Sequence, residues 1–357
     1  MNLHIIPNEK FTGKFVELID SRYPKDSNLV YIYHNKGKKQ DLSSPNVLYV
    51  ETLFKGVNLK LLNKNDKLFI HGFYEPEIVE YLFLNLPFIK KDQLVLIMWG
   101  ADLYDTHQKL SSEGFKLKPY VFDKMKNAIF KHSKVFMTFA YYDYNLAHEW
   151  YGANGKQFDC LYPSNADLKL LDELRENKKP ETVKRIMIGN SATLSNYHEE
   201  VLNSLSKFKD ENIEIICPLS YGDMKYGQKI AEIGKQIFGD KFIPITEFMN
   251  ANEYSKLLNS IDVAIFNNKR QQATGNIEII GYLGKKLYLR SDTSMWPHYV
   301  ERDKCHFYDA IKIQDMSFEE FIEFEPELAD ENVAYFRNIW DINYVKSLWD
   351  DVFNYHS

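Results

Sequence analysis

Ile261-Asp262-Val263-Ala264-Ile265-Phe266-Asn267-Asn268-Lys269-Arg270-Gln271-Gln272-Ala273-Thr274-Gly275-Asn276, running on to Asp292, is the stretch that decides the fold. Its first six residues form a short, β-branched apolar run, which predicts a buried strand. The polar segment Asn267 to Gln272 predicts a loop, the residues from about Ala273 to Tyr282 a helix, and Lys286 to Leu289 a second strand. Strand, loop, helix, strand is the repeating step of a parallel α/β sheet. Ligands of such sheets bind beyond the carboxyl ends of the strands. This loop carries Asn268, Lys269, Arg270, Gln271 and Gln272, and the small residues Thr274, Gly275 and Asn276 open the helix. Unsatisfied amides at a helix start, beside an ammonium and a guanidinium, suit a diphosphate. A solvated loop with a chance basic pair is the plainer alternative.

Upstream, the same alternation recurs. Val183–Ile188, Ile213–Cys217 and Phe242–Ile245 read as strands, with exits Gly189-Asn190-Ser191, Pro218-Leu219-Ser220-Tyr221 and Thr246-Glu247-Phe248. With the Asn267–Gln272 loop, four successive exits share one sheet edge. Gly189, Asn190, Ser191 and Ser220 suit phosphate, while Tyr221, Glu247 and Phe248 suit a base and ribose. Polar residues are expected in any such loop, so the argument rests on four loops of complementary chemistry.

The first half alternates as well, with strands at Leu3–Ile6, Leu29–Tyr33, Val47–Val50, Leu68–His71, Leu94–Trp99 and Val135–Phe139. No G-x-G-x-x-G follows the first strand, which argues against a standard dinucleotide site. Two loops stand out: His71-Gly72-Phe73-Tyr74 and Trp99-Gly100-Ala101-Asp102-Leu103-Tyr104. Asp102 at a strand end is a candidate general base, and equally a helix cap. His71 is a candidate ligand of phosphate or hydroxyl, or a packed residue.

The length of 357 residues implies two domains. We expect an N-terminal domain at 1–165, a linker at 166–182 containing Lys178-Lys179-Pro180, a C-terminal domain at 183–325, and terminal helices at 326–357. Packing of those helices back on the first domain is one arrangement open to them. Residues 1–165 hold 21 Lys/Arg against 18 Asp/Glu, and residues 166–357 hold 23 against 32. That balance speaks against nucleic acid as a partner and leaves the first half able to meet an anionic surface. The lysines from Phe115 to Val135 alternate with apolar residues, as in a helix lying on an anionic leaflet or in an ordinary surface helix. No apolar run is long enough to span a bilayer, and the amino terminus reads as a strand rather than a signal peptide. Cys160, Cys217 and Cys305, widely spaced, read as reduced packing residues of a cytoplasmic protein. No D-x-D, H-x-x-x-H, Walker loop or G-x-S-x-G occurs, so neither a carboxylate-held metal nor a cofactor is expected. Arg270, Lys269 and helix amides would then balance leaving-group charge.

Arg270-Gln271-Gln272-Ala273-Thr274-Gly275-Asn276, Leu283-Gly284-Lys285-Lys286 and Arg290-Ser291-Asp292 resemble glycosyltransferase family 56, the TDP-N-acetylfucosamine:lipid II N-acetylfucosaminyltransferase family. Gly189-Asn190-Ser191 with Ser195-Asn196 and His198, the Trp99–Tyr104 loop and His71-Gly72 agree with it. The resemblance spans about residues 67 to 300. It implies a GT-B fold, α/β with two Rossmann-like doubly wound domains facing across a cleft, acceptor on the first and nucleotide sugar on the second. It implies a metal-independent hexosyltransferase moving a deoxy-amino sugar from a dTDP- or UDP-sugar to a polyprenyl-diphosphate-linked saccharide in bacterial surface-polysaccharide synthesis, at the inner face of the cytoplasmic membrane. Asp102 and Arg270 would then be catalytic. Asn268, Lys269, Gln271, Gln272, Gly275 and Asn276 would join the residues around Gly189, Ser220, Tyr221, Glu247 and Phe248 on the donor. His71, Gly72, Trp99, Gly100 and Tyr104 would face the acceptor. A nucleotide-sugar-binding partner without transfer activity is the alternative.

Overall fold

The computed structural model describes residues 1–33, 42–113, 117–177 and 182–355. Phe115, Lys116 and the Lys178-Lys179-Pro180 segment, singled out above, lie outside the described residues. Two compact units emerge: Met1–Asn165 with Ile339–Ser357, and Ala166–Asn338.

The first unit holds seven parallel strands: β1 (Asn2–Pro7), β2 (Asn28–Tyr33), β3 (Val47–Val50), β4 (Leu68–His71), β5 (Leu94–Met98), β6 (Val135–Thr138) and β7 (Lys156–Asp159). Their order is β3-β2-β1-β4-β5-β6-β7. The chain order therefore reverses between β1 and β4, the switch point of a doubly wound sheet. Continuous apolar runs such as Leu94-Val95-Leu96-Ile97-Met98 are buried on both faces, as helix-covered parallel strands require. β7 has no apolar run, since Lys156-Gln157-Phe158-Asp159 lies at the sheet edge, and the sequence reading missed it.

The second unit repeats the plan with β8 (Lys184–Ile188), β9 (Ile213–Pro218), β10 (Phe242–Ile245), β11 (Val263–Phe266), β12 (Lys286–Leu289) and the two-residue β13 (Tyr308–Asp309). The order is β10-β9-β8-β11-β12-β13, all parallel, with the switch point between β8 and β11. Val263 pairs with Ile186 and Lys286, so the deciding stretch is the centre of this sheet.

The proposed linker is not extended throughout: Leu168–Glu176 is a helix of the second unit, with Asp167 capping Leu170 N–H. Pro326–Ile339 also lies almost wholly in the second unit, where the Phe336 ring would meet a Cβ added at Gly281 at 2.1 Å. Only the last helix, Ile342–Phe353, belongs to the first unit. Its Trp349 is fully buried, and its indole N–H donates to Leu161 O at 2.9 Å. Among the described residues no helix is long and apolar enough to cross a membrane. All three cysteines are buried free thiols.

Candidate functional site

In the second unit, the exits of β8 and β11 meet at the switch point. Gly189 turns the chain at φ +65°, and a Cβ there would lie 2.6 Å from His198 Nε2 and 2.7 Å from Asn196 Oδ1. Only glycine fits both the dihedral and the space. The turn is pinned by Asn196, which is fully buried. Its Oδ1 accepts from Asn190 N (3.2 Å) and Asn268 Nδ2 (3.2 Å), and its Nδ2 donates to Thr193 Oγ1 (2.7 Å) and Ser191 O (3.1 Å). Asn196 therefore ties the Gly189 turn to the β11 loop.

Gln272 makes the second tie. Its Nε2 donates to Asn190 Oδ1 (3.2 Å) and Thr193 Oγ1 (3.3 Å). Its Oε1 accepts from Ser195 Oγ (2.6 Å) and Arg270 Nε (3.2 Å). Gln272 thus anchors the half-buried Arg270. Asn190 Nδ2 donates onward to Tyr221 OH at 2.9 Å, and Ala192 bridges to Gly222, so the β9 exit with Ser220 and Tyr221 joins the same edge.

The helix Thr274–Tyr282 opens here, and its N-cap residue Ala273 is left-handed at φ +63°, ψ 16°. Asn276 and Ile277 N–H groups bond Ala273 O, whereas helix geometry supplies no intrahelical acceptor for Thr274 and Gly275. A Cβ on Gly275 would meet open space, so the backbone at this helix start is approachable. Below it, a small cleft is lined by Phe266, Asn268, Arg270, Gln272, Ile277, Leu289, Arg290, Thr293 and Met295. Four buried polar atoms of these loops have no protein partner: His198 Nε2, Asn267 Nδ2, Asn268 Oδ1 and Gln271 Oε1. Such atoms are costly unless water or a ligand meets them.

Arg290, at the exit of β12, is buried and charged. It grips Asp292 with two bonds (2.8 and 2.7 Å) and donates to Glu200 (2.6 Å) and Asn267 (3.1 Å). The Asp292 bonds lead in holding its guanidinium above the usual range. Burial would raise Glu200, but Arg290 and Lys269 hold it below the ordinary carboxylate range. Lys269 lies 3.4 Å from Glu200 and 4.1 Å from the Tyr197 ring centroid. Its charge is thus engaged by Glu200, which departs from the expectation that it faces a diphosphate beside Arg270. Gln271 is buried rather than presented at the loop surface. Glu247 and Phe248 are exposed at the β10 exit, Phe248 by 86%, and among the described residues no bond joins them to the Gly189–Arg270 cluster.

In the first unit, Asp102 does not stand as a base. It is fully buried, and its carboxylate accepts from the N–H groups of Trp99 (3.0 Å), Gly100 (2.9 Å) and Leu103 (3.0 Å). Burial pushes its pKa up to about 6 against those bonds and the Lys126 charge. It is the second residue of Ala101–Glu113, its buried carboxylate folded back on the N–H groups that lead into the helix rather than capping a helix that begins at Leu103. Tyr104 is also buried, its hydroxyl donating to Asp143 at 2.7 Å.

His71 is buried in a hydrogen-bonded chain whose polarity its far end sets. Asn28 Nδ2 donates to Ser27 Oγ, so its Oδ1 accepts from His4 Nε2–H at 3.1 Å. His4 Nδ1 then accepts from His71 Nε2–H at 3.0 Å, and His71 Nδ1 accepts from the Tyr162 hydroxyl. Tyr162 oxygen accepts the Trp99 indole N–H at 3.2 Å. Both imidazoles are neutral: burial lowers His4 to about 4 and holds His71 well below its usual value. His71 therefore positions Trp99 through Tyr162. Gly72, at φ +66°, lets the Trp99 ring lie on the backbone, since a Cβ would come within 2.6 Å of it. Of the five acceptor candidates, half-buried Trp99 and the backbones of Gly72 and Gly100 stand at the sheet edge, whereas His71 and Tyr104 are internal.

Two such Rossmann-like units define the GT-B class. A glycosyltransferase from Rickettsia africae ESF-5 shares this fold at TM-score 0.65 and 12% identity, covering 99% of each chain. WaaG, a glycosyltransferase involved in lipopolysaccharide biosynthesis, is similar at TM-score 0.61 and 11% identity, again over 99% of both chains. A structure described as trehalose-6-phosphate from E. coli bound with UDP-2-fluoro glucose matches at TM-score 0.62 and 10% identity over 100% of both.

Residues 51–353 match the family described as 4-alpha-L-fucosyltransferase, glycosyl transferase group 56. The chain belongs to that family and is a glycosyltransferase acting as a hexosyltransferase. Asn196, Thr193 and Arg290 are site-building residues that the sequence reading left out of its candidates. Their signal was their place one to eight residues beyond the ends of β8 and β12.

Proposed function

We propose that the chain moves a deoxy-amino sugar of the N-acetylfucosamine type from a dTDP- or UDP-sugar to a polyprenyl-diphosphate-linked saccharide in bacterial surface-polysaccharide synthesis. The observation that carries this is the joining of the Gly189–Ser191 turn to Arg270 through Gln272, beside the open start of Thr274–Tyr282. Arg270 and the amides of Thr274 and Gly275 would meet the diphosphate. Charge grows on the leaving phosphate as the sugar bond breaks, so a cation fixed there favours the transition state over the ground state. Asn190, Ser191, Asn268 and Gln272 orient the diphosphate and sugar. Tyr221, with Ser220 beside it, lies toward the nucleoside. Glu247 and Phe248 would have to reach it from the β10 exit.

The E. coli neighbour with UDP-2-fluoro glucose supports a nucleotide-sugar donor by analogy of fold. The acceptor reading draws on the helix Leu117–His132, whose first turns expose Leu117, Tyr120 and Val121 beside Lys118 and Lys124. That pairing suits an anionic inner leaflet, with the enzyme peripheral on the cytoplasmic face. Lys126 of the same helix is buried against Thr106 and takes no part. The test incubates the chain with dTDP- and UDP-linked deoxy-amino sugars and a polyprenyl-diphosphate disaccharide, and follows nucleoside diphosphate release and product mass. Release from every donor being absent, with no melting shift by dTDP or UDP, would remove this reading.

A further inference from the structure

With the Asp102 carboxylate sealed under backbone N–H groups, transfer by a single displacement needs another group to take the proton from the acceptor hydroxyl. Several carboxylates near the strand exits of the first unit are committed elsewhere. Glu77 accepts from Tyr33, Thr52 and Leu53 N–H, and Asp143 holds Tyr104. Glu51 and Asp159 stand at β3 and β7, the outer strands of the sheet.

We infer that Glu9 is the acceptor base. It lies two residues beyond β1, beside the switch point with β4, where a doubly wound sheet opens its crevice. Its backbone is fixed: the N–H bonds Pro7 O (2.9 Å) and Thr12 Oγ1 (3.1 Å), and its carbonyl accepts from Thr12 N (3.0 Å). Its side chain is exposed, and Tyr74 OH, from the β4 exit, donates to Oε1 at 3.3 Å. Half-buried aromatic rings stand beside it. Phe11 lies edge-on to Trp99 with centroids 4.8 Å apart, and Tyr74 lies 6.2 Å from the same ring. Such rings suit the apolar face of a saccharide, and the His4–His71–Tyr162 chain fixes the ring they gather around.

The step balances as a single displacement. Glu9 takes the hydroxyl proton while the acceptor oxygen bonds the anomeric carbon. The bond from that carbon to the phosphate oxygen breaks, its electron pair leaving with the nucleoside diphosphate. The proton on Glu9 passes to solvent, and the product carries the anomeric configuration opposite to the donor's.

This rests on the transferase reading above, so wild-type transfer from the dTDP- and UDP-linked deoxy-amino sugars to a polyprenyl-diphosphate disaccharide is measured first. Absence of release from every donor, with no melting shift by dTDP or UDP, takes down both. Given wild-type transfer, Glu9→Gln is expected to lower kcat at least 100-fold with KM for both substrates within about threefold. Its melting temperature and dTDP shift should match wild type. Added formate should restore part of the rate in Glu9→Ala. Glu75→Gln, the neighbouring carboxylate, should transfer normally. Normal turnover in Glu9→Gln, a loss confined to Glu75→Gln, or a product of retained configuration would each overturn the assignment.

Discussion

Arg270 Nε donates to Gln272, whose own bonds reach across to Asn190, Thr193 and Ser195. Its guanidinium is therefore aimed by the loop without being part of the core. Arg270→Ala should lower kcat/KM about 10² to 10³-fold, with little change in melting temperature. Unchanged turnover in a transfer assay would remove Arg270 from the chemistry. Gly189 makes the opposite case. Gly189→Ala meets both a left-handed dihedral and atoms within 2.7 Å. The dihedral alone costs about 1–2 kcal/mol. Differential scanning calorimetry should show the second unit melting about 5 °C lower, with the dTDP shift lost. The Gly189 turn was legible in the sequence, because a glycine directly after a strand has few other uses, and the Arg270 loop was legible as polar and cationic. Asn196 and Glu9 were not. A polar residue in a strand exit reads the same whether it braces a turn or meets a substrate, and only burial separates them. Asp102 shows the cost: position proposed a base, and burial under three N–H donors made it a brace.

At the scale of elements, apolar runs of four to six residues predicted the strands well. The exceptions were β7 and β13, an edge strand without an apolar run and a two-residue pairing, where no core demands hydrophobic residues. The segment from Leu194 to Phe208 is three helical pieces: Leu194–Asn196, His198–Leu205 and Ser206–Phe208. Its first break is the left-handed Tyr197, a conformation that sequence pattern does not signal. The start of Ala101–Glu113 carries its own prediction, because its first turn holds a buried carboxyl. Asp102 has a folded pKa of about 6, above its unfolded 3.8. The folded state thus binds the proton more tightly, and Asp102 costs stability as pH rises from about 4 through 6. Asparagine has no such dependence. Urea unfolding should show Asp102→Asn gaining on wild type by on the order of 3 kcal/mol between pH 4 and pH 7.5. It should also keep its specific activity per folded molecule. A difference that stays flat with pH would mean that the carboxyl is solvated in the folded chain.

At the scale of the whole chain, the two-sheet plan was visible because the alternation of apolar runs and loops restarts near residue 183. Which unit owns the carboxyl terminus was not visible, because amphipathic helices carry no address. The answer lies in one side chain. Trp349 packs on Phe15, with ring centroids 4.8 Å apart, and against His4, His71 and Tyr162 at 5.8 to 6.3 Å. Lys67 ties down the helix end through the carbonyls of Phe353 and Tyr355. The first unit is therefore built from both ends of the chain, and the second is inserted between them. Truncating a fully buried tryptophan costs about 3–5 kcal/mol, and this one also covers the His4–His71 pair that aims Trp99. Trp349→Ala should then raise hydrogen exchange in peptides from β1, β4 and β5, while peptides from β8, β9 and β11 keep their protection. The dTDP-induced melting shift should persist, and transfer to the lipid-linked acceptor should fall. Equal loss of protection in both sets of peptides would contradict the assignment of the last helix to the first unit's core, because a core contact confined to one sheet has no means of loosening the other.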